Sequence, residues 1–261
     1  MSISSLANIH PDAKIADNVT VDAFTSIYEN VEIGKGTWIG PNVTIMQGAR
    51  IGKNCKIFPG SVISGIPQDL KFSGEDSIAI IGDNTVIREF VTVNRGTVDK
   101  NQTKIGANCL LMAYVHIAHD CLIGDNCILA NNVQMAGHVI VDNFANIGGI
   151  SAIRQFVRIG SHVMISGGCL VRKDVPPYVK AAREPMSFAG INSIGLKRRG
   201  FSNDKINEIQ EIYRHIYQRG LNNSKAIEIV ENEVSQSSER DMIVSFIKQS
   251  ERGIMKGFNQ I

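Results

Sequence analysis

The chain has 261 residues and a formal net charge of +2, long enough for one or two domains and too balanced to suggest a nucleic-acid binder. Hydrophobic residues make up 43%, yet no run reaches the length of a membrane span, so no stable membrane insertion is expected. The opening MSISSLANIHPDAKIADNV has neither a basic n-region nor an apolar core; it is not read as a signal peptide, and a cytoplasmic address is expected.

From Ile9 an aliphatic residue returns every six positions: Ile15, Val21, Ile27, Ile33, Ile39, Ile45, Ile51, Ile57 and Ile63. The series stops, resumes through Ile81, Ile87 and Val93, stops again, and runs from Ile105 to Val171. A fixed six-residue period marks a parallel β-helix, with three hexads to a triangular coil and a rise of ~4.8 Å per coil. The period alone leaves the hand open. Four residues after each aliphatic comes a small or β-branched residue, as at Val19, Thr25, Val31 and Thr37. All five cysteines (Cys55, Cys109, Cys121, Cys127 and Cys169) fall in this second slot. They read as inward packing residues rather than nucleophiles or metal ligands. None forms a CxxC pair, which argues against a disulfide framework or zinc ribbon.

The two interruptions, near 64–80 and 94–104, resume in phase and read as loops leaving a continuous solenoid. Long loops on a rigid scaffold usually carry function. The repeat is expected to end near Asp174, before Val175-Pro176-Pro177-Tyr178. Beyond it the period changes. Ser202 is a plausible N-cap for a helix over 203–219, with further helices around Ala226–Val230 and Met242–Ile247. The expected organisation is thus a mainly β solenoid over 1–190 and a small helical domain over 191–261.

Residues eighteen apart should stack. That places His119, Gly137 and Gln155 in one column and Asp120, His138 and Phe156 in the next, with His116 and Arg154 nearby. His119 beside Asp120 could be a general base, a role typically worth ~10²–10⁴-fold. The Gly137 N–H could hold an oxyanion. A lone turn histidine more often just bonds adjacent coils, and His10, His162 and His215 are read that way; the cluster is read as functional. Three histidines with HxxH spacing are also permissive for zinc, but no metal is expected.

The motifs Gln68-Asp69-Leu70-Lys71, Asn94-Arg95-Gly96-Thr97, His116-Ile117-Ala118-His119-Asp120, Ala136-Gly137-His138-Val139, Gln155-Phe156 and Gly195-Leu196-Lys197-Arg198-Arg199-Gly200-Phe201 closely resemble the acyl-carrier-protein-dependent UDP-N-acetylglucosamine O-acyltransferases of lipid A biosynthesis. The resemblance spans almost the whole chain. It implies a left-handed helix, a homotrimer with clefts between solenoids, and direct transfer of a 3-hydroxyacyl chain from acyl carrier protein to the 3-hydroxyl of UDP-N-acetylglucosamine. No cofactor is implied beyond the carrier's own phosphopantetheine. His119 would be the base, Asp120 its orienting partner and Gly137 the oxyanion donor. Gln68, Asp69 and Lys71 would reach the substrate from the loop. His116, His138 and Gln155 would line the nucleotide-sugar site, and Asn192, Arg198 and Arg199 would meet the nucleotide. Gly167 matches the end of the acyl groove. Arg154 departs from the family pattern, which commonly has His there, so its role is left open between phosphate binding, an ion pair and structure. Lys173, Lys180, Arg183, Lys197, Arg198 and Arg199 are candidates to meet the acidic carrier.

The rival readings are a related N-acyltransferase of a UDP-sugar amine, an acetyl-CoA-dependent acetyltransferase and a structural or ice-binding solenoid. The loop and GLKRRGF motifs and the early start of the repeats disfavour the first. The absence of Thr ladders disfavours the last.

Overall fold

The computed structural model describes residues 2–257. Short strands recur in six-residue phase from Ser2–Ile3 to Leu170–Val171 and, with two later strands at Val179–Ala182 and Ser187–Ile191, assemble into three sheets of eleven, nine and eight strands, parallel except for the last strand, one sheet for each face of a left-handed parallel β-helix. In each strand the aliphatic points inward. Ile39, Ile57, Ile87, Leu111, Leu129 and Ile147 are fully buried and stack coil upon coil. Each coil buries its apolar slot only against its neighbours, so stability accumulates by nearest-neighbour stacking.

From Asn18 on, most corners turn through one residue in the left-handed region. Asn18, Asn30, Asn42, Asn54, Asn84, Asn108 and Asn126 do so with φ between 51 and 58°, a conformation asparagine tolerates because its side chain bonds locally. The second repeat slot does more than pack. Thr25 Oγ1 donates to Gly40 O at 2.7 Å, Thr37 Oγ1 to Gly52 O at 2.9 Å, Cys109 Sγ to Gly124 O at 3.2 Å and Cys121 Sγ to Ala136 O at 3.1 Å. A small donor here satisfies a corner carbonyl that would otherwise be buried unpaired.

Uninterrupted coils pair residues eighteen apart, as Ile33 with Ile51. Across the first interruption Ile51 pairs with Ile81, thirty on, and across the second Ile81 pairs with Ile105, twenty-four on. The insertions therefore equal two hexads and one hexad. That is why the phase survives both.

The solenoid continues past Asp174, where the sequence suggested it would stop. Met164 pairs with Lys180 in strand Val179–Ala182, sixteen residues on instead of eighteen, and an antiparallel strand, Ser187–Ile191, covers that edge. Pro176 and Pro177 shorten this last coil without breaking its pairing. Four helices follow: α1 Ser193–Arg198, α2 Asn203–Tyr217, α3 Asn223–Glu233 and α4 Ser238–Lys248. Ser202 caps α2 by accepting from Lys205 N, as its position in the sequence suggested. The short α1 was not anticipated. The helices dock through Tyr213, whose hydroxyl donates to Pro177 O, and through Tyr217, stacked 4.4 Å from Phe188.

Candidate active site

His119 and Asp120 form one corner of a coil, and both are buried. Asp120 takes the left-handed corner conformation at φ 60°, which turns its carboxylate back beneath the adjacent imidazole. His119 Nδ1 lies 2.8 Å from Asp120 Oδ2. The second excursion (95–101) folds over the same carboxylate. Thr97 Oγ1 donates to Oδ2 at 2.6 Å, Thr97 N to Oδ1 at 3.0 Å and Lys100 N to Oδ1 at 3.3 Å. Burial pushes the Asp120 carboxyl up, but the donors from Thr97 and His119 outweigh it, and the group sits below the usual carboxylate range. An ionised Asp120 holds the proton of His119 on Nδ1 and leaves Nε2 as the acceptor.

One coil on, Gly137 stacks under His119. A Cβ built there would come within 2.7 Å of His119 Cε1 and 2.8 Å of Nε2. Only glycine leaves room for the ring. Among the described residues nothing in the chain accepts from the Gly137 N–H, although its own carbonyl accepts from Phe156 N at 3.2 Å. His138, stacked 4.6 Å on Phe156, meets His119 edge-on at 5.0 Å. Asp99 Oδ2 lies 3.2 Å from His138 Nδ1 but off the line of a hydrogen bond. The first excursion (66–77) brings Asp69 Oδ2 to 3.9 Å from His119 Nε2. The two excursions brace each other: Ser77 Oγ donates to Gly96 O at 2.6 Å, Val98 N to Glu75 Oε1 at 3.2 Å, and Arg95 lies 5.4 Å over Phe72.

The expected columns therefore meet, and the stacking has no slip. His119, Asp120, Gly137, His138 and Asp69 gather at one corner. Gln68, Lys71 and Gln155 stand exposed at its rim. His116 is half-buried on the adjoining sheet, bonded through Nδ1 to Thr92 Oγ1 at 2.7 Å, and burial lowers its pKa. Gly167 is exposed, with Gly148 and Gly149 stacked against it. Arg154 is exposed and lines a small cavity with Arg172, Lys173, Glu251 and Arg252. Asn192, Arg198 and Arg199 are not at this corner of the chain. Asn192 caps α1 and donates to His162 O, and Arg199 donates to Phe144 O while lying over the Phe144 ring. Arg198 is exposed.

The sequence motif Asn94-Arg95-Gly96-Thr97 contains Thr97, but neither it nor Lys100 was expected to bond Asp120. Their segment has no period, and no spacing rule links it to Asp120. The zinc alternative also changes its members: the ligand-capable atoms that converge within 4.8 Å are those of His119, Asp120 and His138, without His116. Asp120 already accepts from Thr97, Lys100 and His119, which makes it a partner for the imidazole rather than a free metal ligand.

Residues 174–255 match the family model described as UDP N-acetylglucosamine O-acyltransferase, domain 2, and residues 30–65 and 102–137 match the bacterial transferase hexapeptide model. An acyl-[acyl-carrier-protein]–UDP-N-acetylglucosamine O-acyltransferase of Stenotrophomonas maltophilia is 41% identical over 256 residues, 97% of each chain. The crystal structure of a UDP-N-acetylglucosamine acyltransferase from Bacteroides fragilis superposes with a TM-score of 0.95 at 54% identity, covering 97% of this chain and 99% of that one. A counterpart from Acinetobacter baumannii gives 0.95 at 41% identity, with coverage of 97% and 99%.

Proposed function

Because the chain belongs to the UDP-N-acetylglucosamine O-acyltransferase family, we propose that it transfers a 3-hydroxyacyl chain from acyl carrier protein to the 3-hydroxyl of UDP-N-acetylglucosamine, the entry step of lipid A biosynthesis, with His119 as general base. One observation carries the mechanistic part. The His119–Asp120 pair, closed from behind by Thr97, stands over the unpartnered N–H of Gly137. As the sugar oxygen attacks the thioester carbon, its proton passes to His119 Nε2 and the carbonyl oxygen becomes an oxyanion at the Gly137 N–H. Collapse breaks the C–S bond, and the departing thiolate takes the proton from the imidazolium. Asp120 keeps the tautomer and stabilises the cation. Base, oxyanion donor and both substrates then account for the whole reaction, with no metal or further cofactor.

Asp69, Gln68 and Lys71 line the approach to Nε2 from the loop, and His116, His138 and Gln155 line the nucleotide-sugar side. Asn192, Arg198 and Arg199 reach the nucleotide in this reading from a neighbouring subunit, which fits their place at a different corner of their own chain. A homotrimer is further supported by an exposed apolar edge: Phe24, Phe90, Tyr114 and Ile150 occupy one corner column and are 44–74% exposed together with Tyr28 nearby. Ile150 is β-branched and yet held at φ 59°, a conformation isoleucine disfavours. Among the described residues no helix is long and apolar enough to cross a membrane, and the reading keeps the cytoplasmic address expected from the sequence.

The test is transfer of a labelled 3-hydroxyacyl group from carrier protein to UDP-N-acetylglucosamine, by the unmodified protein and by His119→Ala. The expected result is activity in the first and a loss of ~10²-fold or more in a variant that keeps its assembly state. Activity that survives the substitution removes His119 from the mechanism. Failure of the unmodified protein across a panel of acyl lengths redirects the search to amine-bearing sugars.

A further inference from the structure

The tip of the first excursion is held by very few contacts. None of residues 68–76 is buried. Within the tip, Lys71 N donates to Asp69 Oδ1 at 3.0 Å, Phe72 N to Asp69 O at 3.0 Å and Ser73 N to Glu75 Oε2 at 2.8 Å. Among the described residues one hydrogen bond joins this stretch to the rest of the chain: Val98 N donates to Glu75 Oε1 at 3.2 Å. The other attachments are the Phe72 ring, 5.4 Å from the Arg95 guanidinium, and the 3.9 Å approach of Asp69 to His119. A segment with so little burial and bonding opens locally at low cost. Yet it carries Gln68, Asp69 and Lys71 to the catalytic corner.

The same contacts pin the clamp on Asp120. Thr97 donates to that carboxylate from both its N–H and its hydroxyl. Its neighbours on either side are bonded to the first excursion. Gly96 O accepts from Ser77 Oγ at 2.6 Å, and Gly96 N donates to Ile78 O at 3.2 Å. Val98 N is the donor to Glu75. A Cβ on Gly96 would overlap the backbone of Asn101 and Gln102, so the second excursion closes tightly on itself at this point. Thr97 is thus fixed on one side by Ser77, at the root of the first excursion, and on the other by Glu75, at its tip.

Glu75 is suited to the task. Its own N–H, then that of Ser73, hold its carboxyl below the usual range, so it accepts as an anion at neutral pH. Hydrogen bonds to an ionised acceptor are the strong ones. A carboxylate that served only the turn at Gly74 would need Ser73 N alone; the second oxygen goes instead to the residue beside Thr97.

We propose that Glu75 is a positioning residue that ties the tip presenting Asp69 to the segment whose Thr97 clamps Asp120, so that one contact sets both the sugar-facing loop and the catalytic carboxylate. Arg95 over Phe72 supports it. Glu75 acts through Asp69 and Thr97 and not on the reacting atoms. This deepens the reading of His119 and Asp120 as the catalytic pair and rests on it.

The experiment combines cleavage of the tip with transfer kinetics. Lys71 is the only basic residue in 68–76, so tryptic cleavage after it reports an open tip. Glu75→Ala is expected to speed that cleavage by about tenfold, because cleavage follows the open population and a charged acceptor is lost. Phe72→Leu should speed it less. In transfer from 3-hydroxyacyl carrier protein, Glu75→Ala should lower kcat by ~10–10²-fold, the scale of a misplaced catalytic group, and raise the KM for UDP-N-acetylglucosamine. Glu75→Gln keeps one acceptor oxygen for Val98 N and should recover part of kcat. Asp69→Ala should cost about fivefold less in the Glu75→Ala background than in the parent, as coupled residues do. Melting temperature and assembly mass should match the parent, since no core contact is removed. An unchanged kcat in Glu75→Ala, or an Asp69→Ala cost equal in both backgrounds, overturns the proposal. So does faster cleavage with only the KM altered, which would make Glu75 a loop anchor with no hold on Asp120. Failure of the unmodified protein to acylate UDP-N-acetylglucosamine would sink the underlying reading instead.

Discussion

The His119 ring lies on the face of Gly137, so that a Cβ at residue 137 would stand 2.7 Å from His119 Cε1 and 2.8 Å from Nε2. The nitrogen proposed to move the proton and the amide proposed to receive the oxyanion are thus held in register by one coil spacing. Gly137→Ala keeps the N–H and an ordinary backbone conformation, and changes only this contact. The ring must swing away, by the order of an ångström. Misplacement on that scale costs about 10²-fold in rate. The expected result is a loss of that size in kcat, with melting temperature and assembly unchanged, read by the transfer assay and by calorimetry. Activity within threefold of the parent would separate His119 from Gly137 in the mechanism.

Asp120→Asn probes both catalysis and stability. The carboxylate accepts from Thr97 N, Thr97 Oγ1 and Lys100 N and faces His119 Nδ1. An amide can keep the Oδ1 contacts, but its NH₂ would then face His119 Nδ1 and drive the ring proton to Nε2, the wrong nitrogen for a base. A loss of ~10²–10⁴-fold in kcat is expected. The variant should also be less stable at neutral pH by about 1–3 kcal/mol, because hydrogen bonds to a charged acceptor are replaced by weaker ones. The sign with pH follows. The folded carboxyl is more acidic than the unfolded one, at about 3.9, so its stabilisation is present above that value and lost as pH falls through the lower folded pKa. Denaturant unfolding at pH 7 and at pH 3 should show the gap between parent and variant closing at the lower pH.

How much of this was legible beforehand follows from where period ends and contact begins. The column His119–Gly137–Gln155 could be read because no bulge intervenes between Ile105 and Val171 and because both insertions equal whole hexads. The hydrogen bonds of Thr97 to Asp120 could not, because an excursion's return path has no period. The last coil was missed because its spacing drops to sixteen at Pro176 and Pro177. The six-residue α1 is too short to display an apolar stripe, and Asn192 was read as a ligand contact before its capping role was visible.

His162 predicts an acid sensitivity in a different window. Its ring is stacked 4.8 Å from Phe144 and 5.5 Å from Tyr178, edge-on to Phe201, with Arg199 close by. Burial, then the Arg199 charge, lowers its pKa to about 4. An unfolded histidine takes up its proton below about 6.5. Between those values the unfolded chain binds more protons, so stability must fall as pH drops from 6.5 towards 4. His162→Phe should fit, since Phe144 and Phe156 already occupy the same corner conformation at φ 63 and 66°. The variant should lose less melting temperature than the parent between pH 7.5 and pH 5. Part of the loss should remain, because burial lowers His116 as well. Parallel melting curves for the two proteins across that range would show that His162 is not a source of the sensitivity.

Gly167 carries the last prediction, on acyl length. It stacks on a strip without side chains: a Cβ on Gly148 would meet Gly167 N at 2.4 Å, and a Cβ on Gly167 would meet Gly149 O at 3.1 Å. The latter contact is tight but can relax, and Gly167 and Gly168 are exposed, so Gly167→Met should fold. In the reading of this strip as the end of the acyl groove, the methionine side chain takes the space of about three or four methylenes. Each methylene denied burial costs about 0.8 kcal/mol, roughly fourfold in affinity. The preferred donor should therefore shorten by about that many carbons, with kcat/KM for the parent's best donor falling by ~10²-fold or more and that for shorter donors largely kept. A panel of 3-hydroxyacyl carrier proteins of graded length measures this directly. A uniform loss across all lengths would mean that the substitution disturbs the coil, and an unchanged profile would place the end of the groove elsewhere.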